Sequence, residues 1–163
     1  MLQPTFQFDS AAQITGAFLR EHGLRGLILD IDNTIAVPDR REIPPQLAAW
    51  LEEMRACGVR MVILSNNKKE RVEDFAGSVG LPYVCGGGKP LRRGYFAALG
   101  VLGLPSSAVA AVGDQLFTDI WGGNRAGVTT ILTKPFAPDQ TRFIRFKRML
   151  ERPFVRKYAK RGR

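Results

Sequence analysis

The stretch LILDIDNTI, residues 27–35, decides how this chain is read. An aliphatic run leads straight into two carboxylates, Asp30 and Asp32, with only Ile31 between them. A carboxylate at the end of an apolar run is costly unless it is paired, hydrogen-bonded or bound to a cation. Folding alone gives no reason to place two of them there, so the reason lies elsewhere in the chain.

Similar apolar runs recur at 26–31, 59–65, 83–85, 108–113 and 128–132. They are aliphatic or β-branched, bounded by Gly, Pro or polar residues, and do not alternate, which predicts strands buried on both faces of a parallel sheet. Helical patterns separate them. Pro44 and Pro45 open one that runs through Leu47, Leu51 and Met54 to Gly58; others span 68–79, 91–102 and 119–126, and a further one is expected over 10–22. The β-α alternation predicts a doubly wound α/β domain with a parallel sheet.

In such sheets ligands sit beyond the carboxyl ends of the strands. The polar clusters fall there: Asp30 and Asp32 after the first strand, Ser65, Asn66 and Asn67 after the second, Lys89 after the Gly86-Gly87-Gly88 loop, and Gly113 and Asp114 after the fourth. Asp30, Asp32 and Asp114, with Asp119 nearby, would repel one another if left bare. A hard divalent cation with oxygen ligands relieves that repulsion, and Mg²⁺ is the expected ion. Lys89 and Ser65 add a positive charge and a donor, which suits a phosphoryl group whose transfer needs positioning and charge neutralisation. A carboxylate can itself be the nucleophile.

The set Asp30-Ile31-Asp32-Asn33-Thr34, Ser65-Asn66-Asn67, Lys89-Pro90 and Gly113 to Asp119 resembles the four motifs of the haloacid dehalogenase (HAD) superfamily. The resemblance implies Asp30 as nucleophile, Asp32 as general acid/base, and Ser65, Asn66 and Lys89 as contacts to the phosphoryl group. It implies Mg²⁺ on Asp30, the carbonyl of Asp32, and Asp114, with Asp119 binding it directly or through water. GDQLFTDIWGGNRAG, the SNN motif and KPLRRG further resemble the YqeG-type branch of the capless class III phosphatases, whose fungal mitochondrial and plastid relatives act on phosphatidylglycerophosphate. The fold so implied is the HAD-like Rossmannoid. The spacings agree with the absence of a cap: Thr34 to Ser65 holds a loop, a helix and a strand, and Ser65 to Lys89 a helix and a short strand.

The remaining composition narrows the partners. At 163 residues one domain is expected. No apolar run approaches a membrane span, and the N-terminus has neither the basic nor the apolar region of a secretory signal, so a cytoplasmic protein is expected. Cys57 and Cys85 lie in no CxxC or Cys/His cluster and read as free thiols, and a single histidine, His22, argues against histidine-based metal sites or a Ser/His/Asp triad. Residues 1–133 balance 13 basic against 13 acidic side chains, so the net charge of +9 resides in 134–163.

This tail, 134–163, is expected as a basic amphipathic extension packed on or beside the 1–133 core. Phe143, Phe146, Leu150 and Phe154 recur at near-helical spacing among Arg142, Arg145, Lys147 and Arg148, a pattern for the surface of an anionic membrane. The stripe suits packing onto the domain equally, and nucleic acid is the rival partner. Pro153 predicts a break between two helices rather than one continuous helix. The reading is therefore a Mg²⁺-dependent phosphomonoesterase acting on phosphatidylglycerophosphate at the cytoplasmic membrane face. Its rivals are a phosphatase for soluble nucleotide or sugar phosphates and a non-catalytic RNA- or ribosome-binding protein; the second acid, Asp32, argues against the last.

Overall fold

The structure, a computed structural model, describes residues 1–138 and 142–159. Asp139, Gln140, Thr141 and 160–163, all part of the expected tail, lie outside the described residues. Six strands, β1 (Phe6–Phe8), β2 (Gly26–Leu29), β3 (Arg60–Ser65), β4 (Tyr83–Cys85), β5 (Val109–Gly113) and β6 (Thr129–Thr133), form one sheet in the order β1-β6-β5-β2-β3-β4. Every pairing is parallel. Five of the six strands match the apolar runs of the sequence. The edge strand β1 is new, because three residues carry too little pattern to be read; its register sets Phe6 against Ile131 and Phe8 against Thr133.

The strands alternate between two apolar layers. Leu27 and Leu29 of β2 pack with Ile63, Val112, Trp50 and Phe75, beneath α2 (Pro45–Ala56) and α3 (Lys69–Val79). Ile28 faces the other way, with Val62, Leu64 and Ala111 beneath α4 (Arg92–Leu102) and α5 (Trp121–Ala126). Helices α3, α4 and α5 each end on a glycine in the left-handed region: Gly80, Gly103 and Gly127. Such a residue ends a helix at little steric cost.

Three elements differ from expectation. The helix expected over 10–22 is two: a 3₁₀ turn (Ala11–Gln13) and α1 (Gly16–Glu21). Ser10 and Thr15 each accept a backbone N–H, from Ala12 and Phe18, so each starts its own helix. Ahead of α5, residues Leu116–Ile120 form a wide π turn. Third, α6 (Arg142–Ala159) runs unbroken through Pro153. Proline strips the Met149 carbonyl of its helical partner, but both residues are exposed, so water can take the missing place.

From β2 the chain runs outward through α2, β3, α3 and β4, then α4 carries it back across to β5 on the other flank of β2. The carboxyl ends of β2 and β5 therefore flank the point where the winding reverses, the position at which this topology opens a crevice.

Candidate active site

Asp30 continues β2, its N–H donating to the Val112 carbonyl at 3.1 Å, and Asp114 continues β5. Asp119 is brought beside them by the π turn. Gly113 makes this possible, because a Cβ there would overlap the Asp119 carboxylate. The Asp119 Oδ2 accepts the Gln115 N–H at 3.1 Å, and the buried Tyr95 hydroxyl donates to the carbonyls of Thr118 and Asp119 at 3.1 and 3.0 Å. Lys89 enters from the loop after β4 and donates to Asp30 Oδ1 at 2.7 Å and Asp119 Oδ1 at 2.6 Å, with its side chain 5% exposed. Asn66 positions it: the amide nitrogen donates to the Lys89 carbonyl at 2.9 Å, and the amide oxygen accepts the Lys89 N–H at 2.8 Å.

Carboxylate oxygens of Asp30, Asp114 and Asp119, all buried, lie within 4.8 Å of one another. One oxygen of Asp114 pairs with Arg148; the other, Oδ1, is buried without a partner among the described residues. Burial pushes Asp30 up to about 7, Lys89 pulling it down and Asp119 pushing it further up. Burial and then the Asp30 charge hold Asp114 well above the usual carboxylate range, against the pull of Arg148. For Lys89 burial acts downward, but Asp119 and Asp30 outweigh it and leave the ammonium raised. The cluster is short of positive charge. An orphaned buried carboxylate oxygen in an all-oxygen donor set fits a hard divalent cation.

The Asp32 carboxylate is not part of this cluster. It pairs with Arg71 of α3, accepts from the Asn67 amide, and takes the Asp39 N–H at 3.1 Å. Ser65 is buried at the end of β3, where its hydroxyl accepts the Asn67 N–H at 3.1 Å, so Asn67 links Ser65 to Asp32. Of the residues singled out in the sequence, Asp30, Lys89, Asp114 and Asp119 meet directly. Ser65 and Asp32 flank them, and Asn66 acts on the Lys89 backbone. Arg71, Tyr95, Arg148 and Glu151 complete the surroundings and carry no motif; the Gly122 that admits the Tyr95 ring was the nearest signal for that residue.

Helix α6 lies against the site through its polar side. Arg148 reaches Asp114, Glu151 accepts the Phe117 N–H at 2.9 Å, and Val155 and Tyr158 pack on Leu116, Ile120 and Leu132. Phe143, Phe146, Met149 and Leu150 are exposed on the other side; Phe154, 38% exposed, meets Phe117 edge to face.

A model of the haloacid dehalogenase-like hydrolases matches residues 7–127, which contain the whole acid cluster and Lys89. The chain belongs to this family. It is 36% identical over 149 residues to "Probable phosphatase YqeG" of Bacillus subtilis (strain 168), covering 91% of this chain and 87% of that protein. Within the family, it is a phosphatase. The chloroplastic/mitochondrial phosphatidylglycerophosphate phosphatase 1 of Arabidopsis thaliana is 31% identical over 155 residues, covering 88% of this chain and 44% of the relative. The chloroplastic enzyme of that name from Chlamydomonas reinhardtii is 31% identical over 126 residues, 72% of this chain and 47% of the relative. This chain thus spans less than half the length of either. Among solved structures, a HAD subfamily III A hydrolase of Legionella pneumophila superposes with a TM-score of 0.56 at 21% identity, over 69% of this chain and 67% of that one, which shows the fold.

Proposed function

We propose that this chain is a Mg²⁺-dependent, capless phosphomonoesterase that works through an aspartyl-phosphate on Asp30 and dephosphorylates phosphatidylglycerophosphate. The observation that carries the reading is the buried set of Asp30, Asp114 and Asp119 around Lys89, with Asp114 Oδ1 lacking a partner. Asp30, the Asp32 carbonyl and Asp114, with Asp119 directly or through water, would hold the ion. When bound, Mg²⁺ would neutralise charge on the phosphoryl oxygens.

The Asp30 carboxylate attacks phosphorus in line, and the leaving ester oxygen takes a proton from Asp32. Asp32, now charged, removes a proton from water, and the hydroxide attacks the aspartyl-phosphate to release phosphate and restore Asp30. Lys89 neutralises Asp30 and Asp119 and, with Ser65 and Asn66, steadies the phosphoryl group. Arg71 and Asn67 hold the Asp32 carboxylate in place.

Two features support a lipid-borne substrate: the likeness to phosphatidylglycerophosphate phosphatases, and the outward stripe of α6. Phe143 is 66% and Phe146 54% exposed, and Arg142 and Arg145 are exposed in the same turns of the helix. Phenylalanines flanked by arginines suit the interface of an anionic bilayer, where the basic side chains add electrostatic attraction. No helix among the described residues is long and apolar enough to cross a membrane, so the contact proposed is peripheral. The test is phosphate release from vesicle-borne phosphatidylglycerophosphate and from soluble nucleotide and sugar phosphates, with Mg²⁺ and with EDTA. The lipid is expected to be preferred, EDTA to stop turnover, and folded Asp30→Asn to be inactive. Undiminished turnover by Asp30→Asn refutes the nucleophile assignment, and a soluble phosphate hydrolysed better than the lipid refutes the substrate.

A further inference from the structure

Among the described residues, two that are not glycine hold φ in the left-handed region: Asn33 at +60° and Asp39 at +56°. Both bear on Asp32. Asn33 follows it in the chain, and the Asp39 N–H donates to its carboxylate at 3.1 Å. Asparagine and aspartate visit this region more readily than most residues, but they stay there only where neighbouring contacts hold them, and such residues gather at functional sites.

Asn33 is buried, and its N–H donates to the Ala36 carbonyl at 2.9 Å, closing the turn that carries Asp32. Its side-chain amide donates to the Ala137 carbonyl at 3.0 Å and accepts the Ala137 N–H at 2.9 Å. Ala137 stands 104 positions away, in the segment that leads from β6 into α6 and beyond the residues 7–127 matched by the family model. Pro138 favours extended backbone at Ala137, in which N–H and C=O point to the same side, so one amide can meet both. β5 lies between β6 and β2 in the sheet. The step from Thr133 at the end of β6 to Ala137 therefore carries the chain past the carboxyl end of β5, where Asp114 stands.

We infer that Asn33 is a positioning residue for Asp32, and that the segment 134–138 completes the catalytic turn by clasping it through Ala137. Arg71, Asn67 and the Asp39 N–H fix the carboxylate end of Asp32; the clasp on Asn33 fixes its backbone end. As the P–O bond to the leaving group breaks, the Asp32 proton passes to the departing oxygen. That transfer, and the later removal of a proton from water, need the carboxyl group within hydrogen-bond reach, so both ends must be held. The inference rests on the role proposed for Asp32 above.

Leaving groups separate positioning from mere structural support. An alkoxide departs poorly unless protonated, whereas p-nitrophenolate departs without a proton. With Mg²⁺, kcat/KM is measured for two alkyl esters, glycerol 3-phosphate and micellar phosphatidylglycerophosphate, and for p-nitrophenyl phosphate. Two full-length variants release the clasp from opposite sides. Asn33→Gly removes the amide yet adopts the positive φ without steric cost. Ala137→Pro removes the N–H that Asn33 accepts and leaves the catalytic turn untouched. Each is expected to lower kcat/KM about tenfold or more for the alkyl esters and no more than about threefold for the aryl ester, because general acid catalysis acts only where a proton is needed. The double variant is expected to lose no more than the worse single one, since both break one contact. Equal losses for alkyl and aryl esters, unchanged alkyl turnover in either variant, or additive losses overturn the inference and leave the active-site reading standing. A parent protein that hydrolyses neither alkyl ester overturns that reading, and the inference with it.

Discussion

Lys89→Met removes the ammonium between Asp30 and Asp119 while keeping much of the side-chain volume. The lost contacts are those at 2.7 and 2.6 Å, and all three residues are buried. Removing one partner of a buried ion pair costs about 3–5 kcal/mol, because the surviving charge stays desolvated. Asp30 can escape part of that cost by taking up a proton: it already titrates at about 7, and loss of the Lys89 attraction moves it higher. The sign follows from linkage. A carboxyl raised above its unfolded value contributes stability below the unfolded value, near 3.8 here, and loses it as pH rises through the folded one. The deficit of Lys89→Met is therefore smallest near pH 5 and largest near pH 8.

With EDTA at about pH 8, the full cost of about 3–5 kcal/mol is expected, which for a chain of this size lowers Tm on the order of 10 °C. Urea and thermal denaturation at about pH 5.5 and pH 8 measure it. Added Mg²⁺ is expected to return part of the loss, since a cation at the acid cluster replaces some of the missing charge. Turnover is expected to fall about 100-fold or more, as when a preorganised electrostatic contact is removed. A variant as stable as the parent at pH 8 without metal, or a deficit that grows towards acid, would refute this account of the cluster.

Other outcomes follow from the same geometry. Because Asp30 must be charged to bind a cation, Mg²⁺ affinity is expected to weaken about tenfold per unit as pH falls below about 7, with proton release on binding; calorimetry in buffers of differing ionisation heat checks both. Arg71→Met frees Asp32 from the contact that orients it, so kcat is expected to drop about 10-fold or more with KM little changed, and equal kcat would remove Arg71 from the mechanism. Phe143→Ser/Phe146→Ser is expected to weaken sedimentation with phosphatidylglycerol vesicles while sparing a soluble phosphomonoester, because both rings are exposed; stronger binding to RNA than to vesicles by the parent would reverse the choice of partner. These substitutions test the stripe better than deleting the helix, which would uncover Leu116, Ile120 and Leu132.

The sequence made the site legible where chemistry contradicted its surroundings. Leu27, Ile28 and Leu29 pack on opposite faces of the sheet, so β2 shows no alternation, and Asp30 stands out as an anomaly at its end. Asp114 and Lys89 stand out in the same way, at a strand end and after three glycines. Arg71 and Arg148 do not. They are long side chains among other basic residues, and their targets Asp32 and Asp114 lie 39 and 34 positions away, beyond any local periodicity. β1 was too short to read, and Pro153 misled because proline excludes a hydrogen bond but not a helix whose open carbonyl meets water.

The orientation of α6 carries a further lesson. Its amphipathic pattern is plain in the sequence, yet the usual rule, apolar side inward, would give the wrong face. Its phenylalanine stripe lies largely outward, while Arg148 and Glu151 join Val155 and Tyr158 on the inner side. The acid cluster supplies the reason. Asp114 is buried with too little positive charge around it, and the Phe117 N–H needs an acceptor; Arg148 and Glu151 satisfy both. Polar demand at the strand ends thus selects the docking face, and Phe143 and Phe146 are left exposed. A cation held at Asp114 would answer the same deficit that the guanidinium of Arg148 answers here.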